Sequence, residues 1–227
     1  MHNASTTPSR TVLAVCRAGI RRNRIPALMV QAFAGTLVAL YYLAPELRPW
    51  FELIGAMKAR YNPGFAIIST AFFGGLIPWL VLMHRGRIPS GQHLRHLSFY
   101  VGFWALQGAV VNTLYSGLNA WLGPNKDLQT LLLKVLIDQG PFNLLWGTPC
   151  CLFLMGWKDA EFSWSRFRVA NPPRVLAHRF LTIQVSAWVV WIPAVTMIYS
   201  LPADLQIPLF NLVVCFFSLL LTFVSRG

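Results

Sequence analysis

The chain reads as an all-α integral membrane protein with about six transmembrane helices in one bundle, and three observations predict this. Hydrophobic residues make up 56% of its 227 positions and charged residues only 11%, whereas a soluble domain carries about a quarter. Six apolar stretches of near-spanning length follow one another, at 25–44, 64–83, 97–118, 141–157, 179–200 and 205–224. The loops between them alternate in basic content. One side collects Arg10, Arg17, Arg21, Arg22 and Arg24 of the N-terminal arm, then Arg85, Arg87 and Arg95, then Lys158, Arg166, Arg168, Arg174 and Arg179, with Arg226 at the end. The other side holds Arg48, Lys58, Arg60 and Lys126, offset by Glu46, Glu52, Asp127 and Asp204. Positive charge favours the inner side, so both termini are expected inside.

A net charge of +12 also raises nucleic acid as a partner, and the placement of the charge excludes it. The basic residues sit between spans and form no basic helix face. The arm at 1–24 has five Arg, several hydroxyl residues and no acid, which suits either an inside anchor or a mitochondrial transit segment. The remainder, 25–227, is one membrane domain. A bacterial inner membrane and a mitochondrial inner or peroxisomal membrane fit equally. Cys16, Cys150, Cys151 and Cys215 lack metal-site spacing and read as reduced apolar fillers.

Each span has a face to justify. Lipid gives helices no hydrophobic reason to associate, so small residues at steps of four mark contact seams. Gln31, Gly35 and Ala39 form one in the first span, and Ala66, Thr70 and Gly74 another in the second. The third span aligns Gly108, Asn112, Tyr115 and Asn119. The sixth repeats the spacing with Asn211, Cys215, Ser218 and Thr222, and the fifth adds Ser186, Pro193, Thr196 and Ser200. These polar faces fit either the lining of an aqueous path or interhelical hydrogen bonds. Tyr41, Tyr42, Trp50, Trp79, Trp121 and Trp157 lie near predicted span ends, at headgroup level.

The fourth span is the unusual one. A single helix over 127–157 would reach about 45 Å, longer than the hydrocarbon core, and Gly140-Pro141 is the expected break. The piece before it carries Lys134 and Asp138 four apart, followed by Gln139. An ionisable group at bilayer depth costs about 2.5–3.5 kcal/mol, so an i,i+4 pair is the economical arrangement. Lys before Asp is the weaker order, which calls for a tertiary partner as well.

The run Lys134-Val-Leu-Ile-Asp138-Gln139-Gly-Pro-Phe142 resembles the Lys-x-x-x-Asp-Gln-x-x-Phe run of the Mpv-seventeen and peroxisomal-membrane-protein-twenty-two family. Upstream, Gly108 to Asn119 is similar to that family's Gly-Pro-x-x-His-x-Trp-Tyr-x-x-Leu-Asp, and Trp188, Trp191 and Pro193 to the start of its Trp-Pro signature. Leu144, Ala109, Asn112, Asn119, Thr196, Tyr199 and Ser200 depart from it, as does the first span, which marks a divergent branch of the kind a bacterial member would form. The resemblance implies common fold and ancestry, and a link to channel-like conduction through a small multi-span bundle.

Catalysis is not expected. His93 and His96 would share a helical face, but no carboxylate or Cys lies nearby to complete a metal site, and no phosphate loop or nucleophile triad is present. No cofactor or metal is assigned. The expected role is a channel or solute-permeation pore whose path is lined by the third, fifth and sixth helices. Lys134, Asp138 and Gln139 set selectivity or gating in that expectation. Asn112, Tyr115, Asn119, Asn211, Ser218, Thr222 and Thr196 line the path, and Pro193 kinks a helix to free carbonyls. The partners are then the bilayer, small solutes or ions, and a second copy of the chain. The alternatives are a non-conducting interaction or lipid-organising protein and, more remotely, a metal-dependent membrane enzyme.

Overall fold

A computed structural model describes the backbone of residues 12–224, with side chains from 24 to 220. Among the described residues every regular element is helical. Five helices are long and apolar enough to cross a membrane, which is the architecture of a polytopic membrane protein. They are α1 (Val12–Leu43), α3 (Gly64–His84), α4 (His93–Leu122), α7 (Pro173–Ser200) and α8 (Ala203–Val224). Between them lie α2 (Arg48–Tyr61), α5 (residues 128–159) and the short α6 (Trp164–Ala170).

The stretch expected as a fourth span at 141–157 is not among these five helices. Gly140 leaves helical geometry, at φ −83° and ψ −106°, and the kink there divides the segment into two helical pieces, as Gly140-Pro141 predicts. The chain passes through wide π turns at Asp138–Gly147 and Cys151–Met155 and stays helical to Asp159. Pro141 lacks the N–H an α turn needs at that point, and a wide turn absorbs the loss. The start of α5 is fixed by Asp127, whose carboxylate accepts from the Thr130 N–H at 3.0 Å. That bond holds the Asp127 pKa below its ordinary value.

The loop at 45–63 holds an element that the apolar pattern does not announce. Helix α2 exposes Trp50, Leu53, Ile54 and Met57 along one flank and buries Gly55 and Lys58 against the start of α8. Its apolar flank and short length suit a helix lying in the interface rather than crossing it. Lys58 donates to the Asp204 carboxylate at 3.1 Å and so ties α2 to α8.

Helix α8 is the centre of the bundle. It packs on α1, α2, α3, α4 and α7, and half of its spanning window is buried, against 22% for α1 at the rim. Helices α3 and α4 meet through small residues, as Ala66, Thr70 and Gly74 predict. A Cβ on Gly108 would lie 2.5 Å from the Ala66 carbonyl, and one on Gly75 2.8 Å from the Tyr100 carbonyl. Backbone therefore touches backbone, which only glycine permits. The seam of α1 is shifted from the expected Gln31–Gly35–Ala39 line. Pro26, Ala27, Val30 and Ala34 are its buried residues among those described, while Ala39 is exposed.

Candidate functional site

A cavity of about 380 Å³ lies among α3, α4, α5, α7 and α8. Its walls follow from helical spacing. Ile183, Ala187, Trp191 and Val195 line it from α7 at steps of four, and Gly74, Pro78 and Leu82 do the same from α3. The α7 stripe alone runs about 18 Å along the helix axis. Much of the remaining wall is aromatic, with Phe103, Trp104 and Tyr115 from α4, Phe142 and Trp146 from α5, and Phe210 and Phe217 from α8. Gly74 makes room for one of them, since a Cβ there would meet the Trp104 ring at 2.6 Å.

Polar atoms enter this apolar space mainly from α5. Asp138, Gln139, Asn143 and Thr148 line the cavity, as do Gln107 of α4 and Ser218 of α8. Asp138, Gln139 and Asn143 form a connected set, and Gln107 and Thr148 belong to separate pairs. The Asp138 carboxylate accepts from the Tyr199 hydroxyl at 2.7 Å and from Gln139 Nε2 at 2.8 Å. Gln139 Oε1 accepts from Asn143 Nδ2 at 3.1 Å, and the Gln139 carbonyl accepts from the Trp188 indole at 2.7 Å. Trp146 donates to Gln107 and Thr148 to Gln184, each at 2.7 Å. Gln184 Nε2 is buried with no partner. The wide turns bring residues 138, 139, 142, 143, 146, 147, 148 and 151 to one side of α5, more than a regular helix face would carry.

Lys134 and Asp138 are both deeply buried, at 2% and 4% exposure, yet they do not pair with each other. The Lys134 ammonium donates to Asn119 Oδ1 at 2.7 Å and to the Gly123 carbonyl at 2.8 Å. Asn119 Nδ2 then donates to Gln206 Oε1 at 3.0 Å, and Gln206 Nε2 to the Leu201 carbonyl at 3.3 Å. The expected tertiary partner exists and has displaced the expected i,i+4 pair. A lysine on the wrong side of an aspartate is held better by two fixed acceptors at the end of α4 than by a carboxylate one turn along its own helix.

The two groups belong to different levels of the bundle. Tyr115, Asp138 and Phe210 line the cavity, and Asn119, Lys134 and Gln206 lie four residues further along the same three helices. The cavity lining ends at the first level. The second is a hydrogen-bonded layer that ties α4, α5 and α8 together one turn beyond it.

Of the residues predicted to line a path, Asp138, Gln139, Tyr115 and Ser218 reach the cavity. Lys134 and Asn119 lie in the layer beyond it. Asn211 does not line it: its amide donates to Ser69 at 2.8 Å and accepts from Thr70 at 2.7 Å, fastening α8 to α3 in a dry contact. Asn112 is buried outside the lining, with Oδ1 unpartnered. Thr196 bonds back to the Ile192 carbonyl of its own helix at 2.7 Å. Pro193 does free a carbonyl, that of Val189, but Gln31 of α1 takes it up at 3.1 Å, so the kink serves helix packing. The Thr222 side chain lies outside the described residues. The polar stripes of the third, fifth and sixth spans therefore do not converge on one lumen.

The aromatic wall escapes a reading of polar stripes, because a tryptophan inside a span looks like any packing residue. Trp79 and Trp157, expected at headgroup level, point inward. Trp79 donates to the His93 carbonyl at 3.2 Å, and Trp157 packs against Phe162 and Trp164. Among the described residues no three His, Cys, Asp or Glu side chains converge as a metal site would need, and Cys150, Cys151 and Cys215 are free thiols. Compared with protein-family models, with curated proteins and with solved structures, the chain matches none.

Proposed function

We propose that the protein is a divergent member of the Mpv-seventeen and peroxisomal-membrane-protein-twenty-two family that binds a small, largely apolar solute in this cavity and lets it pass when the layer beyond opens. In this reading α5 completes a sixth crossing and both termini share the side of the basic loops. The solute enters from that side, between Tyr100 and Met155, and is stopped at the level of Tyr115 and Asp138. Lys134, Asn119 and Gln206 act as a closed gate, and the aromatic walls exclude hydrated inorganic ions and water while it is closed. No bond is made or broken, so the protein is not an enzyme. The observation that carries the reading is the cavity's end one turn short of the Lys134 layer.

The test is sided accessibility in proteoliposomes. Ala187 or Val195 is replaced by cysteine in a background without the native cysteines and probed with an impermeant maleimide. Modification from the basic-loop side alone, extended to both sides by Asn119→Ala, is the expected result. Equal modification from both sides of the unaltered layer, or none from either, overturns it. A second reading is a non-conducting bundle or a self-associating partner protein. The dry contacts of Asn211 with Ser69 and Thr70, and of Gln31 with Val189, favour it. Failure of the first test supports that reading.

A further inference from the structure

We infer that the solute of this cavity is an organic cation with an aromatic or aliphatic body, recognised by Asp138. The inference rests on the cavity being a binding site, as proposed above, and names its ligand class.

The Asp138 side chain lines the cavity at 4% exposure, and both carboxylate oxygens already accept from neutral donors, Tyr199 and Gln139. Those bonds aim the group but bring no positive charge. Among the described residues no Lys, Arg or His lies within ion-pair distance of it. Lys134, one helical turn away, spends its ammonium on Asn119 and Gly123 instead. A buried carboxylate without a counter-charge is costly, and a cation entering the cavity supplies one. The second observation is the wall beside it. Tyr115, Phe142, Trp191 and Phe210 present ring surface to the same space, and aromatic faces attract a poorly hydrated ammonium by about 0.5–2 kcal/mol each. An alkali ion would lose far more hydration than these walls return. At the mouth, Lys158 is compensated by Asp159 at 2.6 Å and donates to Tyr100, so its charge does not bar entry.

The probes are benzyltrimethylammonium and its uncharged isostere neopentylbenzene. Binding is measured by equilibrium dialysis against the full chain in nanodiscs, with protein-free nanodiscs subtracted. The wild-type protein is expected to bind the cation at least tenfold more tightly than the isostere. Asp138→Asn should abolish that preference, while Asp138→Glu should retain it. Equal binding of both probes by the wild-type protein overturns the cation class and leaves the cavity as an apolar site. Binding of neither overturns the site itself. The wild-type comparison decides the matter even where Asp138→Asn fails to fold.

Discussion

Replacing Gly108 by alanine tests the close approach of α3 and α4 directly. The new methyl would stand 2.5 Å from the Ala66 carbonyl oxygen and 2.8 Å from Thr70 Cβ. Ordinary contact begins near 3.4 Å, so the helices must part by about 0.9 Å. Overpacking of this kind costs about 1–3 kcal/mol. The shift also strains the Thr70 hydroxyl bond to Asn211, one of the interhelical bonds worth about 0.6 kcal/mol on average and up to about 1.7. Gly102→Ala on the same helix is the control, because nothing lies within 4 Å of a Cβ there. Alanine improves helix propensity equally in both variants, so that effect cancels in their difference. The expected gap is about 2–4 kcal/mol against Gly108→Ala, read from reversible unfolding in mixed micelles followed by circular dichroism. Two variants of equal stability within about 0.5 kcal/mol would refute the reasoning and mean that the helices are not in backbone contact.

Single cysteines at Gly86 and Asn125 should label from opposite sides of a proteoliposome, and tags on the two termini from the same side. Terminal tags on opposite sides would mean five crossings and remove α5 from the set that spans. Lys58→Met should cost under about 1 kcal/mol in the same unfolding assay, because the Asp204 side chain it meets is about half exposed. A loss above about 2 kcal/mol would show that this pair, rather than the packing of Gly55, holds α2 in place. Thr148→Val removes the one partner of the buried Gln184 amide and should cost about 1–2 kcal/mol. Adding Gln184→Leu should restore most of that, and a double variant no better than the single would place the cost elsewhere.

The apolar runs reveal the five long helices because span length is set by the bilayer and is read directly from sequence. The α3 seam is legible for a similar reason, since Ala66 and Thr70 repeat within a regular helix and Gly74 keeps the same step in the wide turn at Ala71–Leu76. The site is less so. Lys134 and Asp138 stand out as ionisable residues in an apolar stretch, but apart from the adjacent Gln139 their partners are 11, 15 and 61 positions away in sequence. Spacing along one helix carries no information about which neighbouring helix offers an acceptor. Asn211 shows the same limit from the other side. Its spacing fits a polar lining, while its amide is consumed by Ser69 and Thr70 more than 140 residues earlier. Helix α2 is obscured by its mixed composition, because an interfacial helix needs apolar residues on only one flank.

The wide turns of α5 give this segment a dependence on length that it shares with α3, where Ala71–Leu76 forms a similar turn. Each holds a residue more than an α turn requires, and that extra residue sets everything after it back by about 100° around the axis. Deleting one position between Asp138 and Gly147 would remove the extra residue of the first wide turn. It would also swing Thr148, Cys151 and Met155 away from the cavity and turn their apolar neighbours into it. An alignment gap in this segment would therefore mark a change of lining more drastic than most substitutions.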